Sequence, residues 1–108
     1  MSFEATQNKG FRMNFENGFS ISVQWGTMNY CEKKNLMAEY KDEMEKNIWE
    51  SVNAEIAVTD PEGEMLAIGE HDTIIGWLSA DEVAKIIQGV SSAESSDEII
   101  REIKSLKI

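Results

Sequence analysis

The sequence predicts an α+β fold: an antiparallel sheet of four to five strands built around two β-hairpins, packed with two to three helices as a two-layer sandwich. Three observations carry this expectation. Phe11, Met13 and Phe15, then Phe19, Ile21, Val23 and Trp25, alternate with polar residues on either side of Asn17-Gly18. The alternation returns at Ala54, Ile56 and Val58 and at Leu66 and Ile68, around Asp60-Pro61-Glu62-Gly63. After Ser79 the spacing becomes helical, with Val83, Ile86 and Ile87 followed by Ile99, Ile100, Ile103 and Leu106. A period of two marks a strand with one buried face, and a period near 3.6 marks a helix with one apolar stripe.

Residues 1–9 are polar and are expected to fray. In the first hairpin, loop length decides the register. A two-residue Asn17-Gly18 loop would oppose Phe15 to Ser20 and send the two apolar sets to opposite faces, because directly opposed residues share a face. A three-residue loop, Glu16-Asn17-Gly18, opposes Phe15 to Phe19, Met13 to Ile21 and Phe11 to Val23, so that every apolar side chain shares one face. A type I turn ending in a bulge, with Gly18 in the left-handed region, follows. The second hairpin repeats the design: Pro61 suits the first central turn position and Asp60 the one before it. A loop of Pro61-Glu62-Gly63 opposes Val58 to Leu66 and Ile56 to Ile68.

Residues 26–49 are harder to read. Their first half has no periodicity, while in residues 36–49 Met37, Tyr40, Met44 and Ile48 fit one helical stripe within a highly charged stretch. A helix and a long loop both remain open for this segment. Residues 73–78 read as a short buried strand. Ser79 opens a capping box with Glu82, and the helix that follows is expected over residues 80–89, with Gly89 as its stop. Residues 91–96 form a small-residue linker, in which Ser95 opens a second capping box with Glu98 and the last helix. An apolar helical stripe such as Ile99-Ile100-Ile103-Leu106 is far more often core than partner site.

The chain is expected to be one domain over residues 1–108. No apolar run approaches the roughly 18–20 residues of a membrane span, and residues 1–6 lack the basic start and apolar stretch of a signal peptide. A single cysteine, Cys31, cannot form an internal disulfide, which points to a reducing, cytoplasmic setting. Twenty acidic against ten basic residues give a net charge of −10, and such a surface repels phosphate backbones and anionic lipid. Direct nucleic-acid and membrane binding are therefore disfavoured, whereas a basic protein surface would be attracted. Acidity also has an ordinary role in keeping a small protein soluble.

No residue constellation points to catalysis. His71 is flanked by Glu70 and Asp72, but strand neighbours point to opposite sides, and a zinc site would need further His or Cys ligands where only Cys31 exists. An exposed loop histidine and a buried structural thiol are the ordinary readings of His71 and Cys31. No Gly-rich phosphate loop is present, and carboxylates are so abundant that neighbouring pairs carry no signal. The expectation is therefore no catalytic residue, no metal site, no cofactor and no enzymatic activity.

Three kinds of binding site compete. The acidic segment supplies Glu39, Tyr40, Asp42, Glu43 and Glu45, joined by Glu62 and Glu64 of the second turn, as contacts to a basic surface of a host protein. Trp25, Tyr30 and Trp77, near Gly26 and Gly76, are the alternative: an aromatic pocket for a small ligand such as a signalling nucleotide, with the acidity counting against anionic ligands. The third is a structural homo-oligomer, a homodimer in its simplest form.

The stretch Gly10-Phe11-Arg12-Met13-Asn14-Phe15-Glu16-Asn17-Gly18-Phe19-Ser20-Ile21-Ser22-Val23-Gln24-Trp25-Gly26 with Asn29-Tyr30-Cys31, and the stretch Ile75-Gly76-Trp77-Leu78-Ser79-Ala80-Asp81-Glu82-Val83-Ala84, are similar to segments of small proteins encoded by phages and prophages. The resemblance implies a phage-type origin. At the level of class it implies an anti-defence, anti-CRISPR-like inhibitor working in the cytoplasm of a bacterial host. It assigns no activity and no catalytic residue. Together with the charge, it leads to the expectation of a non-catalytic acidic protein that inhibits a host nucleic-acid-handling or defence protein through protein–protein contact.

Overall fold

Alternating side chains build the sheet where the sequence places them. The computed structural model describes residues 1–6, 9–26, 50–69 and 72–107. Among the described residues, five strands, β1 (Ser2–Ala5), β2 (Gly10–Asn14), β3 (Ser20–Gln24), β4 (Ala54–Thr59) and β5 (Ile74–Leu78), precede two helices, α1 (Ala80–Ser92) and α2 (Ser96–Lys107). The strands pair antiparallel in the order β1-β2-β3-β4-β5. The helices cover one face of this sheet, α1 lying against β3 and β4, which makes the two-layer α+β arrangement.

The first hairpin has the expected register, Met13 opposite Ile21 and Phe11 opposite Val23. The Gly18 N–H donates to the Phe15 carbonyl at 3.0 Å, and Gly18 sits at φ +94°, where a side chain would be strained. The second loop copies it: the Gly63 N–H donates to the Asp60 carbonyl at 3.0 Å, with φ +87°. The Asp60 carboxylate accepts from the backbone N–H groups of Glu62 and Glu64 at 3.0 and 2.9 Å, which fixes the loop from within.

The return arm of the second hairpin departs from expectation. Thr59 bridges Met65 and the Leu66 N–H donates to the Val58 carbonyl at 2.8 Å, but the chain then turns away. The Ile68 N–H donates back to the Leu66 carbonyl at 2.9 Å, and Ile56 pairs with Ile75 of β5, not with Ile68. Leu66 and Ile68 are nonetheless buried, at 7% and 2% exposure. Their alternation recorded burial without a ladder, because one edge of β4 has room for one neighbour and β5 takes it.

Other boundaries also shift. Ser2–Ala5 do not fray; they pair with β2, held by Asn14, whose Nδ2 donates to Ser2 Oγ and Glu4 Oε2, both at 2.8 Å. Gly89 does not end α1, which runs to Ser92 with Ala93 as its C-cap. An added Cβ at Gly89 would lie 2.5 Å from Glu102 Oε2, the mobile end of a side chain of α2. Ser79 and Glu82 form the complete capping box. At α2 only half of one forms: the Glu98 N–H donates to Ser95 Oγ at 3.2 Å, while Glu98 Oε1 accepts from the Glu94 N–H at 3.4 Å.

The core joins Ile21, Val23, Ile56, Val58 and Leu78 of the sheet to residues of both helices, among them Val83, Ile86, Val90, Ile99 and Ile103. Each such side chain contributes roughly 1.5–3 kcal/mol by leaving water. Asn17 ties the layers at one end. Its Nδ2 donates to the carbonyls of Val90 at 2.9 Å and Ala93 at 3.0 Å, where α1 ends, and its Oδ1 accepts from the Phe19 N–H at 3.1 Å. The side chain thus adds a donor to carbonyls at the end of the helix, where the Val90 carbonyl also accepts from the Ala93 N–H at 3.3 Å. Asn17→Ala is expected to lower unfolding stability by about 1 kcal/mol, the usual net contribution of an intramolecular hydrogen bond. Asn17→Asp should cost at least as much, because a carboxylate cannot donate to those carbonyls. Urea denaturation of the three proteins checks both.

Candidate functional site

Two regions at opposite ends of the sheet offer binding surfaces. The first is a groove of about 390 Å³, within the usual small-ligand range of ~300–1,000 Å³. It lies where β3 ends, between the strand ends and the first turns of α1. Its walls are largely apolar: Phe11, Val23 and Trp25 on one side, Ala80, Val83 and Ile87 of α1 on the other. Phe11 and Trp25 meet edge to face, their ring centroids 6.2 Å apart at 67°, a geometry that aromatic quadrupoles favour. Ser51 and Asn53 add polar groups, with Ser51 Oγ donating to the Asn53 carbonyl at 2.6 Å. The start of α1 also opens here, but Ser79 and Glu82 already engage its end, and Asp81 and Glu82 are acidic. That helix N-terminus is therefore no site for an anion.

Trp25 lines this groove and Trp77 does not. The reason is a bulge. Ala54 pairs with Leu78 and Ile56 with Ile75, so Gly76 and Trp77 together stand opposite Glu55. Without the extra residue, Ile75 and Trp77 would share the core face. With it, Leu78 takes the core position and Trp77 is left 54% exposed. Trp77 also carries φ +60°, a left-handed conformation that costs a bulky residue roughly 1–2 kcal/mol.

The second region is acidic. Glu16 sits on the β2–β3 turn, Asp60, Glu62 and Glu64 on the turn after β4, and Glu94, Asp97 and Glu98 around the start of α2. The turns adjoin: an added Cβ at Gly18 would lie 3.0 Å from the Pro61 ring, and Asn17 reaches Ala93. No Lys or Arg occurs in residues 15–19, 60–65 or 93–98. Asp60 is taken up by its own loop, Asp97 and Glu98 lie in the first turn of α2 where its dipole favours them, and Glu16, Glu62, Glu64 and Glu94 are exposed.

Glu62 and Glu64 thus stand together, joined by Glu16 and Glu94, which the sequence reading did not single out. Glu39, Tyr40, Asp42, Glu43 and Glu45, together with Tyr30, Cys31 and His71, lie outside the described residues. Among the described residues no group of three or more His, Cys, Asp or Glu side chains is placed to hold a metal ion, and no helix is long and apolar enough to cross a membrane. The groove's α1 wall also escaped the sequence reading, although Ala80 and Ala84, four residues apart beside Val83 and Ile87, leave a notch on one helix face.

The bulge yields a stability prediction. Trp77→Asn, which tolerates the left-handed region, should hold or raise unfolding stability by up to about 1 kcal/mol, whereas Trp77→Val should lower it by a similar amount. Paired denaturant titrations read the difference. No protein-family model, curated protein or solved structure matches this chain, so its own surfaces are what speak to its function.

Proposed function

We propose that this chain is a non-catalytic, phage-type binding protein that docks its acidic end on a basic surface of a host nucleic-acid-handling or defence protein and inhibits it. The carrying observation is the grouping of Glu16, Glu62, Glu64 and Glu94 at one end, with no cation in the segments that form it. Glu16, Glu62 and Glu64 stand on two loops that hold themselves in shape, one through Asn17 and one through Asp60, and Glu94 lies between the two helices. A surface that handles nucleic acid presents Lys and Arg at phosphate spacing. Carboxylates held on a rigid frame compete for the same cations at little ordering cost. Exposed ion pairs contribute only ~0.2–1 kcal/mol each, so several must act together. The net charge of −10 adds long-range steering toward such a surface. On this reading the protein works in the host cytoplasm, holds no cofactor and does not touch nucleic acid itself.

The Phe11–Trp25 wall favours a second reading, a small neutral or cationic aromatic ligand in the groove. The surrounding acidity counts against anionic nucleotides.

A tagged pull-down from nuclease-treated bacterial lysate, washed at two salt concentrations, tests the first reading. A partner that elutes as salt rises is expected, and Glu62→Lys with Glu64→Lys should weaken its binding about tenfold or more, or ~1.4 kcal/mol. Salt-insensitive capture, or full binding by the charge-reversed protein, would sink acidic docking. Thermal-shift titration with neutral and cationic aromatic compounds tests the second: stabilisation lost in Trp25→Ala supports the groove, and no shift across the panel removes it.

A further inference from the structure

The turn of the first hairpin contains a chemically reactive pair. Asn17 is the one asparagine of the chain that a glycine follows. With no Cβ on Gly18 to shield it, the Gly18 nitrogen is a nucleophile for the carboxamide beside it. That nitrogen gives its proton to a solvent base and bonds to Asn17 Cγ, while the Cγ–Nδ2 bond breaks and Nδ2 leaves as ammonia. Water then opens the cyclic imide. Opening at Cγ leaves aspartate at residue 17; opening at the main-chain carbonyl leaves isoaspartate, with the chain rerouted through the side chain. Water and base are the only co-reactants, and Gly18 is exposed to both.

The fold restrains both reactants. The Gly18 N–H donates to the Phe15 carbonyl at 3.0 Å, so the proton that must leave is engaged. The Asn17 carboxamide is held at both ends. Its Nδ2 donates to the carbonyls of Val90 at 2.9 Å, Ser91 at 3.3 Å and Ala93 at 3.0 Å, and its Oδ1 accepts from the Phe19 N–H at 3.1 Å. Nδ2 is the leaving group, so it must let go of the end of α1 before ammonia departs. That end is not a loose terminus: Val90 and Ala93 are 1% and 3% exposed and belong to the core. Reaction therefore waits on a local opening of the helix end.

We infer that Asn17 is a self-modification site gated by the packing of α1, and that its deamidation unpins the helical layer from the sheet. Aspartate at residue 17 has no N–H for the carbonyls of Val90 and Ala93, and sets a negative charge against their oxygens. Isoaspartate adds a main-chain atom to the three-residue loop whose length fixes β2 on β3. The loop has little room for it, since an added Cβ at Gly18 would already lie 3.0 Å from the Pro61 ring. Either product also adds a negative charge next to Glu16. Loss of ammonia to solvent makes the step one-way. Each reaction is thus a permanent record of an opening of the α1 end, and the modified chain opens there more readily than before.

Incubating the full chain at mildly alkaline pH, in buffer and in concentrated urea, tests the gate. Peptide mass spectrometry that separates aspartate from isoaspartate gives the site and the rate. In urea, residue 17 should be the fastest-modified asparagine; in the folded chain it should react about tenfold more slowly or less. Val90→Ala, which loosens the end of α1 without touching the reacting pair, should recover part of the lost rate in buffer. The consequence is read separately, by graded-urea proteolysis of a partly modified sample. Chains carrying aspartate or isoaspartate at residue 17 should be cleaved at lower urea than unmodified chains in the same tube, and the aspartate form should match Asn17→Asp. Equal rates in buffer and urea, or faster reaction at another asparagine in urea, overturn the gated site. Equal urea resistance of modified and unmodified chains overturns the unpinning.

Discussion

A sheet with a single apolar face is the constraint that the rest of the structure answers. Once the three-residue loop at Glu16-Asn17-Gly18 brings Phe11, Met13, Phe15, Phe19, Ile21 and Val23 to one side, that side must be covered. β4 extends it with Ile56 and Val58, and the other face is left to Ser2, Asn14, Ser20 and their polar neighbours. The helical stripes of α1 and α2 are the cover, packed on the sheet and on each other. Asn17 then holds the covering layer in place, since its amide serves the end of α1 while its own backbone makes the hairpin turn. One residue links local turn chemistry to the packing of two layers.

Among the described residues the cover is incomplete in two places, and both are consequences of strand geometry. At the start of α1, small side chains at Ala80 and Ala84 and the lead-in to β4 leave the groove beside Trp25. At the β1 edge, Phe3 is left exposed beside a depression that Ser91 at the end of α1 helps to line. The bulge in β5 works in the opposite direction. It draws Leu78 into the core opposite Ala54 and turns Trp77 out, exchanging a large exposed aromatic and a strained backbone for a filled core position.

Charge separates these surfaces by chemistry. The turn end gathers carboxylates without cations, the groove is apolar with an aromatic wall, and the β1 edge is the stretch where Glu4 is locally satisfied.

The sequence by itself determined the fold class, the loop lengths and left-handed glycines of both turns, the first hairpin's register and the Ser79–Glu82 cap. These follow from interactions between residues close in the chain: the period of two, the turn residues and the cap spacing act locally. Tertiary structure decided which segment pairs with β4. The alternation at Leu66 and Ile68 reports burial, and burial is shared by a strand and by a loop that packs beneath one. It also decided that Trp25 and Trp77 part company, because one bulged residue reverses which side chains face the core. It brought Glu16 and Glu94 to Glu62 and Glu64, because adjacency of turns distant in the chain depends on how the layers are pinned, and Asn17 does that through carbonyls more than seventy residues away.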